Sequence, residues 1–332
     1  MRVAVVYNLR RGVASVGEAG AGFAGLEAEY DTFDTVDALR AAVAATGDEA
    51  LAVEADLDCL GNLRRLRPDM VFNIAEGLPG ESREAQVPML CEMLGLPHTG
   101  SGPLTLALCL DKGVAKRVLR DAGVPTPAAV VMAPGAPVAG GPLRFPLFVK
   151  PLREGSSMGV TPESLVRDEA GLARQVRRVH AAYGEPALVE EFLPGREFTV
   201  GLLGNGEPAV LPVTEIAYGE VPAGYPPVYT YGFKREWDDA RFYHCPAPLE
   251  PALLARVQRV ARDTFRCLGC RDVARVDLRL DAEGTPHCLD VNPLPGLAPG
   301  FSDLPRQADA AGLGYGGLVR AILDAARARY GI

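Results

Sequence analysis

Two stretches place charged residues where chemistry needs them. The run VARVDLRLDAEGTPHCLDVNPLPG (273–296) alternates on both sides of the turn signal Asp281–Gly284. Side chains switch face at each step of a strand, so Arg275, Asp277 and Arg279 share one face and Val276, Leu278 and Leu280 the other. On the returning run, Cys288, Asp290 and Asn292 are expected on one face, with Leu289 and Val291 opposite. Folded as an antiparallel hairpin, this sets Asp277 against Asp290, with Arg275 and Asn292 beside them. Like charges directly opposite are destabilising. A divalent cation compensates, and hard oxygen ligands suit Mg²⁺ (or Mn²⁺), which completes its shell with water and substrate phosphates. The alternative is an ordinary solvated sheet face.

The second stretch is VKPLREGSSMGV (149–160). Lys150 ends a strand-like run, so its ammonium is a fixed point charge. The loop behind it brings hydroxyls and backbone N–H groups close to an anion, because glycine permits close approach. No G-x-x-x-x-G-K-[ST] is present, so phosphate binding here uses another architecture. A cation-binding hairpin in one unit and a phosphate-covering loop in another suggest Mg-ATP clamped between two units.

Strand and helix patterns alternate from Val3 to Ile74, which predicts a parallel sheet covered by helices, with Thr35 as the N-cap of a helix over 35–45. Three units are expected: 1–103 as an N-terminal α/β domain, 104–200 as a central subdomain, and 201–332 as a C-terminal subdomain carrying the metal hairpin. The excursion VPAGYPPVYTYGFKREW (221–237) has neither helix nor strand periodicity, and loops of that length in compact domains are functional or disordered. The net charge of −8 argues against a nucleic-acid-coating surface. No apolar run approaches a membrane span, and MRVAVVYN reads as a first strand and not a leader. Seven scattered cysteines fit a reduced, cytoplasmic protein, with Cys267 and Cys270 as buried structural residues.

The chain resembles the ATP-grasp superfamily, and within it the D-alanine–D-alanine ligases. The pieces that carry the resemblance are VFNIAEG (71–77), HTGS (98–101), LDK (110–112), VKPLREGSSMG, LVEEFLPGREFTV (188–200), ARVD (274–277) and DVNPLPG (290–296), in family order over nearly the whole chain. The resemblance implies a three-domain ATP-grasp fold of α/β and α+β domains, and an enzyme that makes an amide bond. A carboxylate takes the γ-phosphoryl group of ATP to give an acyl phosphate, which an amine then attacks. It implies small amino-acid-like substrates and a homodimer, with neither nucleic acid nor membrane as partner. By match, Lys112 and Lys150 fall on the ATP phosphates, Glu190 and Leu193 around the adenine, and Glu197 on the ribose. Lys234 matches the mobile-loop lysine, Arg275 the oxyanion arginine, and Ser156 a serine beside the first substrate. Asp277, Asp290 and Asn292 match the magnesium ligands, while Gly296 and Ser302 lie near the second substrate.

Four departures stand out. The N-terminal glutamate that holds the first substrate's amino group is missing, and Glu29 or Asp31 in LEAEYDTFDTVDAL (26–39) is the substitute. Glu76 stands where a histidine is expected, Arg235 where a tyrosine is, and Asp290 where a glutamate is. Three of the four surround the first-substrate pocket. The expectation is therefore an ATP-dependent carboxylate–amine ligase with an altered pocket. The alternatives are an authentic D-alanine–D-alanine ligase and a nucleotide-binding protein without catalysis.

Overall fold

The computed structural model describes residues 1–11, 29–138, 140–219, 221–222, 224–237 and 241–332, without the side chains of Tyr231 and Arg235. Val3 to Val6 are fully buried in the first strand, β1 (Arg2–Tyr7), so both of its faces must be covered. The elements that follow are α1 (Phe33–Ala44), β2 (Glu49–Glu54), α2 (Cys59–Leu66), β3 (Met70–Asn73), α3 (Gln86–Leu94) and α4 (Pro103–Leu110). β1 pairs in parallel with β2 and β3, as the alternation implied. Ala4 and Val6 face Leu63 of α2 and Val87 and Cys91 of α3, while Val3 and Val5 face Leu39 and Val43 of α1. The N-cap of α1 is Thr32, not Thr35, its hydroxyl accepting from the Thr35 amide at 3.3 Å.

The central elements are α5 (Lys112–Asp121), β4 (Ala129–Met132), β5 (Leu147–Pro151), β6 (Leu165–Val166), α6 (Glu169–Tyr183) and β7 (Ala187–Glu191). The strands make an antiparallel sheet in the order β4-β7-β5-β6. Leu147, Val149, Ala187 and Val189 pack on Leu172, Val176 and Val179 of α6. The pleat leaves Phe148, Lys150 and Glu190 for the opposite face.

The third group is β8 (Glu197–Leu203), β9 (Ala209–Val210), β10 (Thr214–Ile216), α7 (Tyr231–Glu236), β11 (Tyr243–His244), α8 (Pro251–Cys267), β12 (Val273–Leu280), β13 (Pro286–Asn292), α9 (Asp303–Ala310) and α10 (Gly314–Tyr330). Its antiparallel sheet runs β11-β10-β8-β12-β13, with β9 on β8. Residue 200 falls inside β8, which pairs with β12 from Glu197 to Leu203, so the change of sheet lies in 192–196. The excursion at 221–237 contains the short helix α7, against the expectation of no helix. Thr230 caps it, and its buried Phe233 meets Tyr218, Trp237 and Phe242 edge-on at 5.5, 5.1 and 5.5 Å.

The last two helices return to the first sheet. Leu304 of α9 and Leu318, Val319, Ile322 and Leu323 of α10 share a core with Val3, Val5 and Phe72. Arg329 of α10 pairs at 2.7 Å with Asp272, whose carboxylate also takes the Gly100 amide at 2.9 Å. The first and third groups are thus fastened to each other. No helix of the described residues is long and apolar enough to cross a membrane.

Candidate active site

The polar faces of β5 and β7 on one side, and of β8, β12 and β13 on the other, bound a cleft open to solvent. Lys112, Lys150, Ser156, Glu190, Leu193, Glu197, Lys234, Arg275, Asp277, Asp290 and Asn292 all line it. Residues singled out from five separate stretches of sequence therefore meet in one place.

The hairpin register is the expected one: Asp277 pairs with Asp290 and Arg275 with Asn292. A bulge after Asp277 corrects the predicted faces of β13, however. Cys288 turns inward with Val291, and Leu289 joins Asp290 and Asn292 in lining the cleft. Arg275 grips Asp277 with Nε and Nη2, both at 3.0 Å, and approaches Asp303 at 3.9 Å. The Thr199 hydroxyl donates to Asp277 Oδ1 at 2.7 Å and the Asn292 amide to Oδ2 at 3.0 Å. Burial pushes the Asp277 carboxyl up, but Arg275 and Thr199 outweigh it and hold it below the usual range. Its four acceptor positions are in use. Asp290 accepts from the Val291 amide at 3.0 Å and lies 3.5 Å from Lys112, and Asn292 lines the same cleft. Among the described residues no three His, Cys, Asp or Glu side chains form a metal cluster. The open oxygen donors at this corner, Asp290 and Asn292, suit a hard cation that takes most of its shell from phosphate and water.

On β5, Lys150 Nζ lies 2.9 Å from Glu190 Oε1, and Lys116 from α5 reaches Oε2 at 2.8 Å. Burial alone would raise Glu190, yet the two ammonium groups bring it to about 2. Glu197 Oε2 accepts from Arg279 and from the Tyr218 hydroxyl, each at 2.8 Å. Lys112 follows its helix cap, Asp111, and donates to the Glu154 carbonyl at 2.9 Å, tying the loop to the hairpin side. In that loop Ser156 and Ser157 have φ of 48° and 59°, a left-handed pair that curls the chain over the cleft. Lys234 rides 4.6 Å above the Tyr229 ring, and burial together with Arg275 lowers its pKa.

Glu29, Asp31, Glu76, Gly296 and Ser302 are not among the residues that line this cleft. Glu29 pairs with buried Arg83 at 2.9 Å, and Arg83 also reaches the Arg153 carbonyl at 3.0 Å and Glu154 at 3.6 Å. Glu29 closes on Gly155, where any Cβ would strike its carboxylate. Burial, then Glu29, drive Glu76 upward and Glu84 to about 8. Asp31, beyond the end of β1, rises to about 7 by burial. Gly296 and Ser302 touch, since a Cβ on the glycine would sit 2.9 Å from the serine Oγ, and that hydroxyl accepts from the Ala298 amide. The side chain of Arg235 lies outside the described residues.

Arg83, Lys116 and Thr199 were missed from sequence. Arg83 has no periodic context. Lys116 had a signal: with Lys112, Ala115 and Leu119 it falls on one buried helical stripe, where a lysine needs a partner.

The profile described as D-ala D-ala ligase C-terminus matches residues 137–324. The D-alanine–D-alanine ligase of Rhizobium meliloti is 34% identical over 287 residues, covering 85% of this chain and 89% of that protein. The chain belongs to the D-alanine–D-alanine ligase family. An uncharacterised protein of Sinorhizobium fredii, y4sG, is 41% identical over 302 residues, covering 89% and 88%. The crystal structure of D-alanine–D-alanine ligase from Bacillus anthracis superposes with a TM-score of 0.74 at 24% identity, covering 100% of this chain and 99% of that one. That likeness gives the ATP-grasp fold, and with the family it makes this chain an ATP-grasp ligase. The expected fold and reaction class hold.

Proposed function

We propose that this family member joins two small amino-acid-like substrates through an acyl phosphate, using Mg-ATP, and that its first-substrate pocket differs from one built for D-alanine. The observation that carries the reading is the collection of Lys112, Lys150, Lys234 and Arg275 in one cleft with Asp277 and Asp290. Phosphoryl transfer is mostly positioning and charge neutralisation, and this lining supplies both.

Lys112 and Lys150 hold the phosphates of ATP, under the loop that carries Ser156. Glu190 and Leu193 border the adenine, and Glu197 takes a ribose hydroxyl on Oε1, which Arg279 and Tyr218 leave free. Asp277, Asp290 and Asn292 would hold magnesium, which would supply charge neutralisation at the phosphate oxygens. Lys234 sits where the transferred phosphoryl group passes. Arg275 stabilises the oxyanion of the tetrahedral intermediate, since its guanidinium keeps its charge at every working pH. Gly296 and Ser302 border the amine substrate. Glu29, Asp31 and Glu76, with Arg83, replace the missing amino-group clamp.

Phosphate release from ATP with magnesium tests the reading, across D- and L-amino acids and small carboxylates, singly and in pairs. Release should require a carboxylate–amine pair and vanish in Lys150→Ala. Release from no pair, or release unaffected by that substitution, would contradict it.

A further inference from the structure

Lys116 does not line the cleft, yet it is one of the most deeply buried cations of the protein, at 2% exposure. Its ammonium contacts Glu190 Oε2 at 2.8 Å and donates to Thr126 Oγ1 at 3.0 Å. The Thr126 hydroxyl spends its one proton on the Cys288 carbonyl of β13 at 2.8 Å, so toward Lys116 it can only accept. The lysine is therefore held from behind, and Glu190 stands between it and Lys150.

The charges explain why two lysines are present. A buried Lys150–Glu190 pair alone would be neutral, and its ammonium would be spent. Drawing Lys150 to a phosphate would then strand a buried carboxylate, which costs more than one charge-assisted hydrogen bond returns. With Lys116 in place the triad carries net +1, and Glu190 keeps a counterion when Lys150 turns to an anion. We propose that Lys116 is a positioning residue that frees Lys150 for the nucleotide phosphates by serving as the standing counterion of Glu190. The inference rests on reading this cleft as the nucleotide site, and it adds a residue to which that reading gives no role.

The test is calorimetric binding of ATP and of adenosine to the full chain, before and after Lys116→Met, with circular dichroism to verify folding. Adenosine has no phosphates, so the ratio of the two affinities isolates the phosphate end. Lys116→Met should weaken ATP roughly 10- to 100-fold, the worth of a charged hydrogen bond, and leave adenosine within about threefold. Adding Glu190→Gln to Lys116→Met removes the carboxylate that traps Lys150. The ratio should then return toward that of the unsubstituted protein, because lost adenine contacts fall equally on both ligands. Equal losses for ATP and adenosine, or no rescue by Glu190→Gln, would overturn the role of Lys116 alone. An unsubstituted protein that prefers ATP to adenosine by less than about tenfold would overturn the nucleotide reading with it.

Discussion

Glu190 is buried and Glu84 half-buried, and they end in opposite charge states: Glu190 falls to about 2, while Glu84 rises to about 8. Burial is the first influence on both. The difference is the company. Glu190 has an ammonium on each oxygen, whereas Glu84 shares the region around Arg83 with Glu29, Glu76 and Glu154. One side of the ligase is matched charge by charge, as suits a ligand of fixed chemistry. The other has more acid than base, and this is the side to which the proposed change of first substrate is assigned.

Arg83 should give the largest effect. Arg83→Met strands Glu29 and Glu154 in a buried setting and should cost about 3–5 kcal/mol in urea unfolding. Adenosine affinity should be unchanged. A loss below about 1 kcal/mol would mean that the acid-rich side is stable without its base, and the contrast with the Glu190 side would fail.

Arg275→Met comes next. It removes the bidentate partner of Asp277 and the proposed oxyanion contact, and turnover should fall roughly 10²- to 10³-fold while adenosine still binds. Turnover within a factor of ten would place the chemistry elsewhere.

The pH dependence of stability separates the two sides further. Glu84 has a folded pKa above its unfolded value of 4.5, so its contribution is complete below that value and is lost as pH rises through about 8. Chemical unfolding should show stability declining across that window, by up to about 1.4 kcal/mol per pH unit from this group, and Glu84→Gln should flatten the decline. Glu190 has the reverse sign: its contribution is present above 4.5 and is lost as pH falls toward about 2. A profile that rises between pH 5 and 8 would contradict the assignment for Glu84. As the smallest effect, Leu57→Ser, at a residue 91% exposed, should change stability by no more than about 0.5 kcal/mol.

The half of the site built from regular strands was legible in the sequence. Alternation placed Asp277 opposite Asp290, and a strand end fixed Lys150, because period-2 patterning determines which side chains share a face. The bulge that turns Leu289 toward the cleft was not legible, since one extra residue shifts faces without altering composition. Nor was the return of α10 to the first sheet: its apolar stripe announces burial but not the surface it meets. Arg83 sits in a single 3₁₀ turn, Arg83–Ala85, and acquires its meaning only from Glu29 and Glu154, each more than fifty positions away in the chain. Short-range pattern reads strands and helices; partners brought together by the fold have no such signature.

In the proposed function the nucleotide half of the site is kept while the first-substrate half is changed. Mass spectrometry of the products formed from Mg-ATP, with D-alanine competing in an equimolar mixture of amino acids, tests it most directly. A main product other than D-alanyl-D-alanine is expected, formed at the expense of ATP and lost in Lys150→Ala. D-alanyl-D-alanine as the main product would contradict it, and the acid-rich surroundings of Arg83 would then be a variant that D-alanine tolerates.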